Sequence, residues 1–373
     1  MYLKTMGIKN LLPFLRKHAP SGIATITLDH FRGDTFAIDT SCFLYRFISQ
    51  QNKLQGNWID GFIRLYDRLR RYSIEPVFVF DGTPPKEKTE TRKQRRSTRD
   101  KTKEKIARIE TLMEEISALD AYASIQEYVD QLACFIDIDP YTTKYMCLQQ
   151  LNRMHTKLRG SCIDVTHKHI QQLKELFDCS GIRYIQAPDE AERYCAALSR
   201  YNCVDAVVTI DSDILAYNTR IFINGIDLNK DSVEVFCIKD ILEALQWTYP
   251  QFRDFCILCG TDYNTNIPKV GVKTSYQLID RYIRIEDIPV VYDTSILRYT
   301  RVRELFNVDS LYDHITEQME LHQACNTQQG NIQSSGDQSK LFLFLQYINS
   351  EFNTDFVLKE RPHPRFIIEN DTP

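Results

Sequence analysis

Four carboxylates recur in two pairs, each spaced by two residues. Glu190 and Glu192 stand in Ala187-Pro188-Asp189-Glu190-Ala191-Glu192, and Asp211 and Asp213 in Thr209-Ile210-Asp211-Ser212-Asp213. The second pair directly follows Ala206-Val207-Val208-Thr209-Ile210, a run that reads as a fully buried strand. Acids at the carboxyl end of such a strand are costly unless they are paired or meet cations. Carboxylates are hard oxygen donors suited to Mg²⁺ or Mn²⁺. Taken alone, such a pair is better read as scattered acids on a surface loop.

The elements around the pairs narrow that choice. Thr35-Phe36-Ala37-Ile38 predicts a buried strand ending at Asp39, and Pro76-Val77-Phe78-Val79-Phe80 another ending at Asp81. Three strands therefore end in acids: Asp39, Asp81 and Asp211. Apolar residues at helical spacing predict helices over 6–15, 41–49 and 58–71. Strands alternating with helices imply an α/β fold with a mainly parallel, twisted sheet. In such sheets the site lies beyond the carboxyl ends of the strands. Residues 183–186 read as a further short strand, and 221–224 and 233–236 as two more that could form a hairpin. Asp189, after Pro188, is the expected N-cap of the next helix. Residues two apart on a regular helix point to different sides. Glu190 and Glu192 can converge only if the helix start is irregular or two metals are bridged. Helical patterns over 240–246 and 252–258 lead to Cys259-Gly260-Thr261-Asp262, whose aspartate is a seventh candidate acid. A turn follows at Ile267-Pro268-Lys269-Val270-Gly271-Val272-Lys273, then a helix over 274–282. Such a turn exposes backbone N–H groups to phosphate.

The 373 residues, 43% hydrophobic, suffice for a sizeable core. No apolar run approaches a membrane span, and the first ten residues lack a signal-peptide pattern. The eleven cysteines are scattered and read as reduced thiols. Cys256 and Cys259 form a lone C-x-x-C in apolar surroundings, better read as core helix than as a zinc site. Net charge is −4, yet residues 86–108 carry eleven Lys or Arg against four acids. A basic run beside a carboxylate cluster suggests a polyanion held against a cation site. Such a run repels itself, so it is expected to order on binding; a solvated helix face is the plainer alternative. Residues 106–179 read as helices with loops near 137–140 and 159–161. Residues 326–339 are polar and read as a mobile loop, and 338–344 read as core helix rather than a sliding-clamp peptide.

Together these stretches resemble the flap endonuclease/XPG-type structure-selective nucleases. Met6-Gly7-Ile8 looks like that family's starting motif. Residues 37–45 (AIDTSCFLY) and 77–85 (VFVFDGTPP) resemble its first two catalytic blocks. Residues 187–198 (APDEAERYCAAL) and 208–215 (VTIDSDIL) resemble its internal blocks, and 259–273 (CGTDYNTNIPKVGVK) its last acid and helix–two-turn–helix element. The resemblance implies a PIN-like α/β fold with a helical arch insertion. It implies a site for two Mg²⁺ ions, with Mn²⁺ able to substitute, at Asp39, Asp81, Glu190, Glu192, Asp211, Asp213 and Asp262. Lys88 and Arg95 would meet the scissile phosphate, Tyr45 would stack on a base, and Lys269, Gly271 and Lys273 would bind DNA. The blocks divide the chain into 6–85 (N-terminal nuclease block), 86–186 (basic arch and insertion), 187–265 (internal nuclease block), 266–285 (DNA-binding element) and 286–373 (a helical C-terminal region).

Four departures stand out. Five residues precede Met6, where the family's chains normally begin. Lys269 stands where the turn usually has its first glycine. The span from Asp81 to Glu190 is longer than in a flap endonuclease and shorter than in XPG itself. No basic tail or clear clamp motif closes the chain. The expected activity is divalent-metal-dependent cleavage of branched or 5′-ended DNA in replication, repair or recombination. A monomer with no membrane association is expected, in the nucleus, or in a host nucleus for a virus-encoded copy. A 5′-to-3′ exonuclease of DNA or RNA, and an inactive DNA-binding scaffold, are the competing readings.

Overall fold

The computed structural model describes residues 7–54, 57–120, 125–137 and 142–317, and the backbone of 358–360 and 366–368. Seven strands form one mixed sheet: β1 (Ile23–Thr27), β2 (Thr35–Asp39), β3 (Glu75–Phe80), β4 (Tyr184–Gln186), β5 (Ala206–Thr209), β6 (Ile221–Asn224) and β7 (Ser232–Cys237). Their order is β1-β7-β6-β5-β2-β3-β4. The run from β6 through β5, β2 and β3 to β4 is parallel, whereas β7 pairs antiparallel with both β6 and β1.

The central strands β2, β3 and β5 bury both faces, as parallel strands covered by helices must. Alternate residues feed two different cores. Ala37, Val77, Val79 and Val207 pack on one side with Tyr194, Leu215 and Phe255. Phe36, Ile38, Phe78, Phe80 and Val208 pack on the other with Phe43, Phe47, Phe62 and Phe177. β5, β2 and β3 are direct neighbours, with Val208 opposite Ile38 and Asp39 opposite Val79. Their carboxyl ends therefore lie side by side along one edge of the sheet.

The basic segment is one continuous 30-residue helix, Thr89–Ala118, about 45 Å long at 1.5 Å per residue. The self-repulsion expected of this run is met by neighbours. Asp164 pairs with Arg99 at 3.0 Å and Lys103 at 3.4 Å. The carboxyl half is pinned by a third core, where Ile109, Leu112 and Ile116 meet Leu132, Cys147 and Leu151.

Several expectations need correction. β1 was not anticipated: it is a half-exposed edge strand whose five residues, Ile-Ala-Thr-Ile-Thr, lack a strong apolar pattern. Arg159 and Gly160 form the last turn of the helix Lys144–Ser161 rather than a loop. The region after 286, expected to be helical, also contains a two-stranded hairpin, Leu358–Glu360 with Phe366–Ile368. The loop expected at 326–339 and the helix at 338–344 lie outside the described residues, as does most of the loop near 137–140. Cys256 and Cys259 are buried in the helix Tyr249–Cys259 and serve the core.

Candidate active site

Asp39 is the last residue of β2, Asp81 follows β3 directly, and Asp211 lies two residues past β5. Glu190 rather than Asp189 caps the helix Ala191–Arg200. Its extended backbone (φ −89°, ψ 135°) breaks the helical spacing, which is the irregular start that lets Glu190 and Glu192 face one centre. Asp189 instead pairs with Arg193. Asp213 lies in the first turn of the 3₁₀ helix Ser212–Tyr217 and donates its N–H to Asp211 Oδ1 at 3.0 Å. Asp262 follows the helix Tyr249–Cys259.

Two glycines make this convergence possible. Gly7 has φ +83°, and a Cβ there would stand 2.2 Å from Asp211 Oδ1. A Cβ on Gly82 would stand 2.2 Å from the Ala187 carbonyl oxygen. The first brings the amino-terminal segment against Asp211, and the second lets the segment after Asp81 meet the segment before Glu190. Asp81 Oδ1 accepts the Ala191 N–H at 2.8 Å, and Oδ2 accepts Ser41 Oγ.

Asp39 is 5% exposed and Asp213 only 1%. Burial, then the neighbouring Asp81, pushes the Asp39 carboxyl up to about 6. Burial likewise pushes Asp211 up to about 6. Glu192 and Asp213 are driven well above the usual carboxylate range, by burial first and then by Asp211. Two cationic side chains answer this charge. Lys88 Nζ lies 2.6 Å from Glu190 Oε1 and 3.8 Å from Asp262. Burial disfavours the Lys88 charge, but Glu190 and Glu192 outweigh it and hold the ammonium above its ordinary value. Arg95 donates to both oxygens of Asp262, at 2.7 and 2.8 Å.

The donor set suits a hard cation. All seven acids offer oxygen, and buried Glu192 Oε1 and Asp213 Oδ1 have no hydrogen-bond partner; such orphaned atoms are costly unless something meets them. As they stand among the described residues, no three of these side chains frame a single ion, with Lys88 standing between Glu190 and Asp262.

Thus the structure brings the seven acids, Lys88 and Arg95 together. No hydrogen bond or ion pair joins Tyr45, Lys269, Gly271 or Lys273 to them among the described residues. Tyr45 is 38% exposed on the helix Thr40–Leu54. Lys269 has φ +65°, the left-handed conformation that a glycine adopts without penalty. Gly271, the N-cap of the helix Val272–Tyr282, is exposed, as is Lys273.

Sequence reasoning missed the residues behind the acids. Thr209 Oγ1 donates to Asp39 Oδ2 at 2.9 Å, and Cys42 Sγ to the same oxygen at 2.8 Å. Tyr263 donates to Glu190 Oε2, and the Tyr217 hydroxyl meets that of Tyr263. The only signal for these was adjacency: Tyr263 follows Asp262, and Thr209 precedes Asp211 by two.

Comparison with known proteins gives family-model matches described as the XPG N-terminal domain over residues 6–102 and the XPG I-region over 181–262. A probable RAD2-like endonuclease of Invertebrate iridescent virus 3 is 33% identical over 81% of this chain and 86% of its own length. Flap endonuclease 1 of Babesia bovis is 30% identical over 83% of this chain, which spans only 43% of that protein. Among solved structures, the catalytic core of Rad2 in complex with DNA substrate matches 75% of this chain and 71% of its own. The identity there is 23% and the TM-score 0.52, a likeness of fold.

Proposed function

Because the chain belongs to the XPG/flap endonuclease family of structure-selective DNA nucleases, which are hydrolytic phosphodiesterases, we propose that it cuts branched or 5′-ended DNA with two divalent cations. The observation that carries this reading is the convergence of seven carboxylates on one sheet edge, two of them with orphaned buried oxygens. Asp39, Asp81, Glu190, Glu192, Asp211, Asp213 and Asp262 would hold two Mg²⁺ ions, with Mn²⁺ able to substitute. Such ions, when bound, supply an activated water and charge stabilisation at both the attacking and leaving oxygens.

The chain's own groups do the rest. The Lys88 ammonium and the Arg95 guanidinium, held beside Asp262, are within reach of a phosphate brought to the acids and would stabilise its developing charge. Thr209 and Cys42 hold the Asp39 carboxylate in one orientation. Tyr45, exposed on the helix Thr40–Leu54, would stack on an unpaired base, worth about 1–3 kcal/mol. Backbone N–H groups at the start of the helix Val272–Tyr282, with Lys269 and Lys273, would grip the duplex phosphates. The basic helix and insertion over 86–186 would form the arch, between nuclease blocks at 6–85 and 187–265. The setting would be replication, repair or recombination in a nucleus, with the chain acting as a monomer.

The test is cleavage of a labelled panel of flap, gap, hairpin and blunt-ended DNA in Mg²⁺ and in EDTA. Asp211→Ala and Asp213→Ala are expected to abolish cleavage and keep most DNA affinity, because phosphate contacts elsewhere supply it. Full activity in Asp213→Ala, or undiminished cleavage in EDTA, would overturn the two-metal reading. Preference for free ends over flaps would make the chain an exonuclease instead.

A further inference from the structure

Behind Glu190 lies a pair of tyrosines that the acids alone do not account for. Tyr217 and Tyr263 are buried, at 1% and 5% exposure. The Tyr217 hydroxyl meets the Tyr263 hydroxyl, which donates to Glu190 Oε2. The other oxygen, Oε1, accepts from Lys88 Nζ at 2.6 Å. The same ammonium lies over the Tyr263 ring, 4.8 Å from its centroid. Phe306 packs edge-on against both phenol rings, at 4.9 and 5.4 Å.

Two hydroxyls bonded to each other inside a core need serve nothing beyond their own satisfaction. Two features argue for more. The chain of hydroxyls ends on a carboxylate rather than on a backbone carbonyl. The residue that ends it also offers its ring face to the lysine on that carboxylate's other oxygen. A carboxylate gripped at one oxygen by a buried, buttressed phenol keeps its second oxygen pointed in one direction. Partners of this kind orient ligating groups throughout metal sites.

We infer that Tyr263, anchored by Tyr217, is a positioning residue that aims Glu190 Oε1 at a divalent cation and seats Lys88 beside it. The inference rests on the reading above, in which Glu190 holds metal. A cation that took Oε1 would remove one partner of Lys88, leaving the Tyr263 ring face and Asp262, 3.8 Å away. The ammonium is then kept close to the acids, free to turn to a phosphate.

The experiment is a calorimetric Mn²⁺ titration of the full chain without DNA, alongside urea unfolding. The proteins compared are the unaltered chain, Glu190→Gln, Tyr263→Phe, Tyr263→Leu, Tyr217→Phe and the double Phe variant. Tyr263→Phe is expected to weaken Mn²⁺ binding about 10- to 100-fold, the usual cost of losing such a partner. Tyr217→Phe is expected to lose less, and the double variant no more than Tyr263→Phe, because the two hydroxyls act in series. Tyr263→Leu, which also removes the ring, is expected to match Tyr263→Phe in Mn²⁺ affinity and fall below it in single-turnover rate at saturating Mg²⁺. Mn²⁺ binding by Tyr263→Phe equal to that of the unaltered chain, or additive losses in the double variant, would overturn the inference and leave the metal reading intact. Should Tyr263→Phe fail to fold, Tyr217→Phe carries the test, and unchanged Mn²⁺ binding there overturns it. Equal Mn²⁺ binding by Glu190→Gln and the unaltered chain would overturn the metal reading of Glu190 and the inference with it.

Discussion

Asp39 and Asp211 show what close packing of carboxylates costs. Both are raised from 3.8 to about 6, chiefly by burial. An acid raised on folding binds more protons in the folded state between those two values, so stability falls as pH rises through about 4 to 6. In chelator, the protein is expected to be less stable to urea at pH 7 than at pH 5 by on the order of 1–3 kcal/mol. Mg²⁺ added at pH 7 is expected to reverse that loss, and equal unfolding midpoints at the two pH values would contradict the burial argument. Glu286 works the other way. Its bonds to Arg303 hold it down to about 2, so its contribution is present above about 4.5 and fades as pH falls toward 2. The acids themselves were legible in the sequence because each closes an apolar run or sits in a spaced pair. Their supports were not. Cys42 Sγ reaches Thr209 Oγ1 across 167 residues of chain, and no local pattern foretells that meeting.

The helix Thr89–Ala118 and the turn before the helix Val272–Tyr282 carry the element-scale tests. Lys88 and Arg95 project from the start of the long helix into the acids. Lys88→Ala/Arg95→Ala is expected to lower the single-turnover rate on a flap substrate far more than it weakens binding. An unchanged rate at saturating enzyme, with weaker and less salt-sensitive binding, would reduce this helix to general attraction. At the turn, the left-handed Lys269 carries a conformational cost of roughly 1–2 kcal/mol that glycine does not have. Lys269→Gly is therefore expected to stabilise the fold by about 1 kcal/mol or less while reducing the slope of log affinity on log salt by about one contact. An unaltered salt slope would remove Lys269 from the DNA interface. β2, β3, β5, β6 and β7 were readable because branched and aromatic runs announce strands buried on both faces. β1 was not, since a short half-exposed edge strand, Ile-Ala-Thr-Ile-Thr, has no clear alternation or apolar run, and its place is set by pairing with β7 some 200 residues on.

Across the whole molecule, the carboxyl-terminal part is tied to the nuclease core by Arg303. It donates to buried Asp254 at 2.7 Å through Nε and to Glu286 at 2.6 and 2.9 Å. Arg303 lies in the helix Tyr299–Leu305, and the next residue is Phe306, which braces Tyr217 and Tyr263. Arg303→Met leaves buried Asp254 without its ion-pair partner, and is expected to destabilise the fold by about 3–5 kcal/mol. It is also expected to weaken Mn²⁺ binding at temperatures where the variant remains folded. Loss of stability with full Mn²⁺ affinity would disconnect the two regions.

The lysine between Glu190 and Asp262 has one further consequence, and it is thermodynamic. If Glu190 holds metal as proposed, a divalent ion arriving there would not enter neutral ground; it would exchange with the Lys88 ammonium already there. A DNA phosphate that drew Lys88 toward itself would make that exchange easier, and an ion that evicted Lys88 would release it for the phosphate. Binding linkage is reciprocal. Cation and nucleic acid should therefore each raise the other's affinity by the same factor, and Lys88→Ala should bring that factor closer to one.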